Sequence, residues 1–301
     1  MDPQVSHMSS DIRMTIIVPY FNFCRYPVRA KNYRTFIALA AVCPGVRFVT
    51  VECAFGDAPF EVTKSNNPNH IQVRAAHPLW VKENLINLGI ATTTDDLVGW
   101  MDADLLFDNL LWYRDAELQL RHFHAIQPFA TFRYSRADGS TICTITSYAS
   151  TDPRNVSMPG GAWLMRRDAY DVVGGLLECH IMGGGDHAFA TAFYGECPAH
   201  GIQGTTVSDW VQRVKKLLND PFVPRRWGNP PISYVTGCVE HLYHGPLELR
   251  QYGARDVLLA SLHFDPTKHL TKNADGVIQL VNRPDLQAAV SAYFVARKEN
   301  E

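Results

Sequence analysis

Apolar runs alternate with amphipathic stretches through the first half of the chain. Short, continuous runs rich in β-branched residues predict strands that are buried on both faces, at 14–19, 46–51, 71–73 and 97–101. Apolar positions spaced three and four residues apart predict helices at 28–42, 79–90 and 109–123. Strands that alternate with helices in this way predict βαβ units and a mainly parallel sheet.

The second half has a more mixed pattern. It predicts strands at 162–165 and 234–239, and helices at 168–173, 185–193, 246–262 and 284–298. Residues 196–236 are rich in proline, glycine and basic residues around one amphipathic segment, so we interpret them as an insertion or lid. No linker separates independent domains. We therefore expect one domain over 14–301, with residues 1–13 disordered or vector-derived.

Composition and charge narrow the functional classes. The 301 residues are 46% hydrophobic and 19% charged, which is ordinary for a globular protein. A net charge of -2 gives no overall field that favours nucleic acid or membrane. No apolar run approaches the ~18 residues that span a bilayer, and the first residues lack the pattern of a secretory signal. Seven scattered cysteines without a CxxC pair predict reduced thiols and a cytoplasmic location.

Two carboxylates follow the predicted strand at 97–101. Asp102 and Asp104 lie one residue apart, so an extended chain places both on one face, at the edge where open parallel sheets bind ligands. Asp104 is a candidate direct ligand of Mg²⁺ or Mn²⁺, and Asp102 a candidate ligand or a partner through water or a ribose hydroxyl. The alternative is that Asp102 caps the following helix and that Asp104 is a solvated carboxylate.

Two histidines lie three residues apart in the segment HLYHG. On a helical turn His241 and His244 share a face, whereas on an extended strand they do not. Either histidine alone is more often a structural residue than a ligand, and His244 is the stronger candidate. Imidazole together with carboxylate favours Mn²⁺ over Mg²⁺ or Ca²⁺, with Zn²⁺ as the alternative.

A third candidate lies in the segment IMGGGDH. The three glycines permit a close approach of backbone to ligand, and Asp186 then falls at the start of a predicted helix, where its anion is stabilised. The functional interpretation is a general base that acts on a substrate hydroxyl. The alternative is a plain helix cap.

The order of these motifs resembles the GT-A fold of nucleotide-sugar glycosyltransferases, as in glycosyltransferase family 2 and the β-1,4-galactosyltransferases. The resemblance runs from IIVPYFN to HGPLELRQYGAR and so covers most of the chain. MDAD is similar to the DxD motif, MGGGD to the galactosyltransferase WGGED segment, and HLYH to the late metal-ligand motif. One departure is that Gly185 stands where the family has a glutamate, which removes that residue's contacts with the acceptor.

The resemblance implies a fold class and a set of donor-binding residues. The fold is α/β, Rossmann-like, with a mainly parallel sheet flanked by helices and a smaller mixed C-terminal half. It divides into a nucleotide-binding half (14–130), an acceptor half (131–265) and a helical tail (266–301). The implied donor-binding residues are Pro19, Tyr20, Asn22, Glu52, Lys82, Asn87, Asp102, Ala103, Asp104, Gly161 and Trp163. For Lys82 the alternative is a surface lysine, and for Trp163 a core residue.

The resemblance also implies a reaction. A metal-dependent transferase moves a sugar from a nucleotide diphosphate to an acceptor hydroxyl and inverts the anomeric carbon. By family habit the donor is a UDP-sugar. Asp186 acts as the general base, and Mn²⁺ or Mg²⁺ is the cofactor. The acceptor is a glycan, or an anionic molecule such as a modified nucleic acid if the basic residues of 196–236 receive it. The basic residues are Lys215, Lys216, Arg225 and Arg226, and Trp227 follows them.

Three alternative functions stay open from sequence. A sugar-nucleotide nucleotidyltransferase usually has a glycine-rich loop after its first strand, and VPYFNFCRYP contains no glycine. A non-catalytic nucleotide-sugar-binding homologue would not require all three motifs. A glycoside hydrolase with two carboxyl groups roughly 5–10 Å apart gives the histidines no role.

Overall fold

The computed structural model describes residues 13–40, 42–151, 156–196, 201–203, 206–219 and 231–300. Its strands are β1 Met14–Phe21, β2 Val46–Phe55, β3 His70–Ala75, β4 Leu97–Met101, β5 Leu105–Phe107, β6 Ala125–Gln127, β7 Thr131–Ser135, β8 Thr141–Thr146, β9 Ala162–Arg166, β10 Ile232–Tyr234, β11 Cys238–His241, β12 Leu270–Lys272 and β13 Ile278–Leu280. Its α-helices are α1 Pro27–Ala40, α2 Lys82–Ile90, α3 Trp112–Leu120, α4 Arg167–Val173, α5 Gly185–Ala192, α6 Thr206–Leu218, α7 Tyr252–Ser261, α8 Pro266–His269 and α9 Pro284–Ala296.

A seven-stranded sheet in the order β10-β6-β9-β4-β1-β2-β3 forms the centre of the protein. All its neighbouring pairs are parallel except those of β9, which runs antiparallel to both β4 and β6. All eight residues of β1 are buried, as expected for a central strand between two helical layers. The prediction of a mainly parallel α/β sheet flanked by helices is confirmed.

A second sheet, in the order β5-β11-β7-β8, brings the two halves of the chain together. Strand β4 of the large sheet runs through Asp102–Asp104 into β5, and β5 pairs antiparallel with β11, with Leu105 opposite His241. The Leu242 N–H also donates a hydrogen bond to the Asp104 carbonyl oxygen at 2.8 Å. This junction therefore places the DxD segment beside the HLYHG segment.

Two elements predicted as continuous are broken in the structure. The predicted strand 234–239 is divided between β10 in the large sheet and β11 in the small one, and Gly237 between them has a left-handed φ of 132°. The predicted helix 246–262 is a 3₁₀ turn at Leu247–Arg250 followed by α7, because Gln251 is also left-handed. The tail predicted as helical additionally contains the hairpin β12–β13.

The amphipathic segment predicted within the insertion is helix α6, and it belongs to the body of the domain. Trp210, Val211, Val214 and Leu217 are buried, and the Trp210 indole donates to the Gly175 carbonyl oxygen at 2.8 Å. Within the part of the chain described, 201–203 and 206–219 therefore do not form a detached lid. Arg225, Arg226 and Trp227 lie outside the described residues. None of the described helices is both long and apolar enough to cross a bilayer.

Candidate metal and donor site

A cavity of about 390 Å³ opens at the carboxyl ends of β1 and β4, the edge expected from the sheet topology. Its volume is within the usual range for small-molecule sites. Nine residues that the sequence singles out line it: Pro19, Lys82, Asp102, Ala103, Asp104, Gly161, Asp186, His241 and His244. These residues come from β1, α2, the β4–β5 turn, the segment before β9, α5 and the end of β11. The fold therefore gathers distant parts of the chain at one place.

Asp104, His241 and His244 form a compact triad. The His244 Nε2 atom lies 3.1 Å from Asp104 Oδ2, the His241 Nε2 atom lies 3.8 Å from the same oxygen, and the two Nε2 atoms are 3.2 Å apart. One potential ligand atom from each residue lies within 4.8 Å of the other two. The histidines share neither a helical turn nor a strand: His241 ends β11, and the loop that follows turns His244 back toward it.

The electrostatics of the triad suit a divalent cation. Burial lowers the pKa of His241 well below its usual value, despite the nearby Asp104 carboxylate, and burial also lowers the pKa of His244. Both imidazoles therefore stay neutral, as metal ligands must. Burial alone would raise the pKa of Asp104, but a hydrogen bond with His244 and the charge of the Arg29 guanidinium hold it below its usual range.

The hydrogen bonding of one Asp104 oxygen indicates whether the triad fits a metal ion. Asp104 Oδ1 is buried and accepts no hydrogen bond from any described residue. An orphaned buried carboxylate oxygen is costly unless a cation satisfies it. A set of one carboxylate and two neutral imidazoles matches the preference of Mn²⁺ or Zn²⁺ more closely than that of Mg²⁺. The residues present therefore fit a metal ion.

Lys82 bridges two carboxylates on the other side of the cavity. Its Nζ atom lies 2.6 Å from Asp102 Oδ1 and 2.8 Å from Asp186 Oδ2. Lys82 is the first residue of α2 and is buried, so the alternative of a surface lysine is wrong. Asp102, an expected metal ligand, contacts Lys82 and lies outside the Asp104 triad. Of the two DxD carboxylates, Asp102 therefore contacts the Lys82 ammonium group and Asp104 belongs to the triad.

Glycines give Asp186 its position. Helix α5 begins at Gly185, preceded by Gly183 and Gly184 with φ values of 88° and 110°, which only glycine adopts readily. A Cβ atom at Gly160 would lie 2.9 Å from Asp186 Oδ2, so the Gly160 backbone approaches the carboxylate closely. Asp186 therefore faces the cavity at a helix start, between backbone and Lys82.

Glu83 is a buried carboxylate behind the start of α5 that sequence reasoning missed. A Cβ atom at Gly185 would lie 2.1 Å from Glu83 Oε1, so the Glu83 carboxylate fills the space that a side chain at 185 would need. Burial and the neighbouring Asp186 carboxylate raise the pKa of Glu83 to about 8. The only sequence signal is its place next to Lys82 in KENLINLGI.

Four arginines that the sequence did not single out also line the cavity: Arg29, Arg250, Arg255 and Arg297. Arg250 is buried, and no carboxylate of the described residues pairs with it. Its guanidinium instead makes long contacts of 3.3 Å with the Tyr252 hydroxyl and with His244 Nε2. A buried guanidinium that forms no direct ion pair with a described carboxylate, beside a candidate metal centre, is a natural contact for an anionic ligand.

Five expected donor-binding residues do not line this cavity. Glu52 accepts hydrogen bonds from three backbone N–H groups of residues 61–63, and Tyr20 and Asn22 bond to Glu61, next to a separate small cavity. Asn87 holds the Leu176 carbonyl oxygen at 2.9 Å and the Glu178 carboxylate. Trp163 is fully buried against Phe189, so the core interpretation describes it.

Solved structures of similar fold include a mannosyltransferase from Pyrobaculum calidifontis in complex with GDP-Man and Mn²⁺, at 13% identity, over 94% of this chain and 69% of that chain, with a TM-score of 0.45. The catalytic domain of Drosophila beta1,4-galactosyltransferase 7, in complex with xylobiose, matches at 11% identity over 92% and 98%, with a TM-score of 0.39. S. aureus TarS 1–349 in complex with UDP-GlcNAc matches at 12% identity over 60% and 52%, with a TM-score of 0.42, so this protein covers about half of that 349-residue chain.

These matches concern fold. The first two proteins are named as glycosyltransferases, the class that the sequence resembles. No protein-family model and no curated protein sequence matches the chain. At identities this low, the likeness assigns no donor, metal or acceptor to this protein.

Glu83→Gln is expected to stabilise the protein increasingly as pH rises. The folded pKa of about 8 lies above the ordinary value of 4.5, so wild-type Glu83 costs stability that grows between pH 4.5 and pH 8. One pKa unit corresponds to about 1.4 kcal/mol. Glutamine lacks this titration, so we expect it to gain about 3–4 kcal/mol more at pH 8 than at pH 5. Urea unfolding at both pH values measures the difference.

The same substitution at the exposed Glu248 is the control, with no gain that depends on pH expected. An equal effect of Glu83→Gln at pH 5 and pH 8 would show that the carboxyl group of Glu83 is not held neutral by the fold.

Proposed function

We propose that the protein is a metal-dependent nucleotide-sugar glycosyltransferase. One observation supports this most strongly: the Asp104–His241–His244 triad and the Lys82–Asp186 pair line the same cavity. A transfer from a nucleotide diphosphate has two demands, namely a leaving diphosphate whose charge must be offset and a hydroxyl that must lose its proton. The cavity carries cationic and metal-ligating groups for the first demand and a carboxylate for the second.

Asp104, His241 and His244 are the residues that would hold the cation. When bound, a divalent cation supplies Lewis-acid stabilisation of the leaving diphosphate. Arg250 faces the same part of the cavity, and its guanidinium donates to phosphate oxygens in the fork geometry that such anions favour. Lys82 adds a second positive group beside Asp102.

Asp186 accepts the proton of the acceptor hydroxyl. Its Oδ2 atom lies 2.8 Å from Lys82 Nζ, which keeps the carboxylate oriented between acceptor molecules. The attack of the hydroxyl from the side of Asp186, opposite the diphosphate, inverts the anomeric carbon. Donor and acceptor therefore meet between the triad and α5.

We further propose a uridine nucleotide as the donor and Mn²⁺ as the cation. The donor follows from the family resemblance, and the cation from the two imidazoles of the triad. The acceptor is a hydroxyl of a glycan or of an anionic molecule such as a modified nucleic acid, for which exposed Lys216 on α6 offers a positive group.

Thermal unfolding with a panel of nucleotide sugars tests the proposal. The wild-type protein is expected to melt at a higher temperature with one of UDP-, GDP-, ADP- or CMP-linked donors, and only when Mn²⁺ is present, because a ligand of the folded state stabilises it by mass action. Asp104→Asn is expected to abolish the shift. Asp171→Asn, on an exposed ion pair with Arg167, is the matched control that keeps it.

The absence of any donor-dependent shift in the wild-type protein contradicts the proposal. A shift without sugar transfer or donor hydrolysis would instead identify a nucleotide-sugar-binding protein, and a shift that needs no metal would remove the role of the triad.

A further inference from the structure

The segment after α9 brings a buried carboxylate against the metal-site loop. Glu299 is only 4% exposed, and its Oε2 atom lies 3.7 Å from His244 Nδ1. This is the ring nitrogen on the far side from Nε2, the atom that faces Asp104. A Cβ atom at Gly245 would lie 2.7 Å from Glu299 Cα, so the glycine that follows His244 lets this segment approach.

Two arginines fix this carboxylate in place. Arg29 of α1 donates to Glu299 Oε2 at 2.7 Å, and Arg297 donates to Oε1 at 2.6 Å. The two guanidinium groups offset the charge that Glu299 buries, so the fold can hold a carboxylate at this depth. The Glu299 carboxylate therefore links α1 and the segment after α9 to the HLYHG loop.

The chemistry of a histidine ligand gives this carboxylate a role. A neutral imidazole carries one proton, and a metal on Nε2 requires that proton to be on Nδ1. No described residue accepts a hydrogen bond from His244 Nδ1, and the carboxylate that faces it is Glu299. A carboxylate behind a ligating histidine fixes its tautomer and ring orientation and raises its basicity.

We propose that Glu299 is the positioning residue of the metal centre, holding the proton of His244 on Nδ1 so that Nε2 is free for the cation. The inference rests on the proposed function, because it concerns the metal site that the proposed function uses. It adds that cation affinity depends on Glu299, which lies 55 residues beyond His244 in the sequence.

Direct Mn²⁺ binding tests the role of Glu299. Free Mn²⁺, followed by its electron paramagnetic resonance signal, is titrated with metal-free wild-type protein, with Glu299→Gln and with Glu240→Gln. Loss of a carboxylate behind a ligand costs about 10–100-fold in metal affinity, so this weakening is expected for Glu299→Gln. Glu240 precedes His241 but bonds to Ser135 and Arg133, so the same change of charge there is expected to leave the affinity unchanged.

Glu299→Asp is a second variant that keeps the test decisive if Glu299→Gln fails to fold. It keeps the charge for Arg29 and Arg297 but withdraws the carboxylate by one methylene, so an affinity between those of wild type and Glu299→Gln is expected. Wild-type affinity in both Glu299 variants, or an equal loss in Glu240→Gln, overturns the inference and leaves the proposed function standing. A wild-type protein that binds no Mn²⁺ overturns the metal centre itself.

Discussion

Asp186→Asn is expected to lower the turnover of sugar transfer by about 10²–10⁴-fold, the usual contribution of a general base. Asparagine has nearly the same shape, so it fits the narrow space beside Gly160 but cannot accept the hydroxyl proton. Affinity for Mn²⁺ and for the nucleotide is expected to stay within a few fold, because neither Asp104 nor a histidine of the triad contacts Asp186 in the described structure. Initial rates with the donor found by thermal unfolding, together with donor titrations, measure both quantities.

Asp168→Asn is the matched control for this prediction. Asp168 lies in the first turn of α4, as Asp186 lies in the first turn of α5, but it is exposed and pairs with Arg166 away from the cavity. If Asp186 were merely a helix cap, the two variants would lose similar stability and neither would lose turnover selectively. Wild-type turnover in Asp186→Asn would show that another group takes the proton.

The strands next to the DxD segment are predictable because strands buried on both faces have continuous, mostly apolar sequences. Strand β4 is found at the predicted residues 97–101, and β1 begins at the predicted Met14. Both lie in the middle of the sheet, where apolar residues predominate on both faces. Their position also made the location of Asp102 and Asp104 predictable, since the carboxyl ends of parallel strands form the ligand edge.

The convergence of the triad was harder to derive from the residues. It depends on the pairing of β5 with β11, which are three and four residues long. Strands this short have too few positions for a period of two to be recognised. His241 and His244 could be named from their spacing and their resemblance to a ligand motif, but the turn of the loop that joins them is set by tertiary contacts such as Leu242 to Asp104.

Residues that act through a distant partner escaped sequence reasoning altogether. Glu83 matters because Gly185, about a hundred residues later, leaves room for it. Arg250 lies in a segment whose apolar pattern predicts only a helix, and Glu299 follows the last predicted helix at 284–298. Conversely, Asn87 was placed with the donor by family resemblance, whereas here its amide joins α2 to the segment after α4.

Lys82→Met is expected to lower the free energy of unfolding by about 3 kcal/mol, measured by urea unfolding at neutral pH. Removal of one partner from a buried ion pair costs about 3–5 kcal/mol, because the remaining charge is left uncompensated. Here two carboxylates lose their shared ammonium group, but Asp102 and Asp186 keep 30% and 27% of their side chains exposed, so water offsets part of the loss. Methionine preserves the length and the apolar stem of the side chain.

Two further variants separate burial from mere pairing. Lys272 lies 2.7 Å from Glu178, as close as Lys82 is to its partners, but its side chain is 53% exposed, so Lys272→Met is expected to cost less than about 1 kcal/mol. Adding Asp102→Asn to Lys82→Met removes one uncompensated carboxylate and is expected to restore part of the loss, because residues in contact do not act additively. Equal costs for the two lysine variants would mean that the Lys82 bridge is as solvated as a surface pair. In that case its ammonium group would not be held ready, within a low-dielectric cavity, to orient Asp186 and offset the charge of a diphosphate.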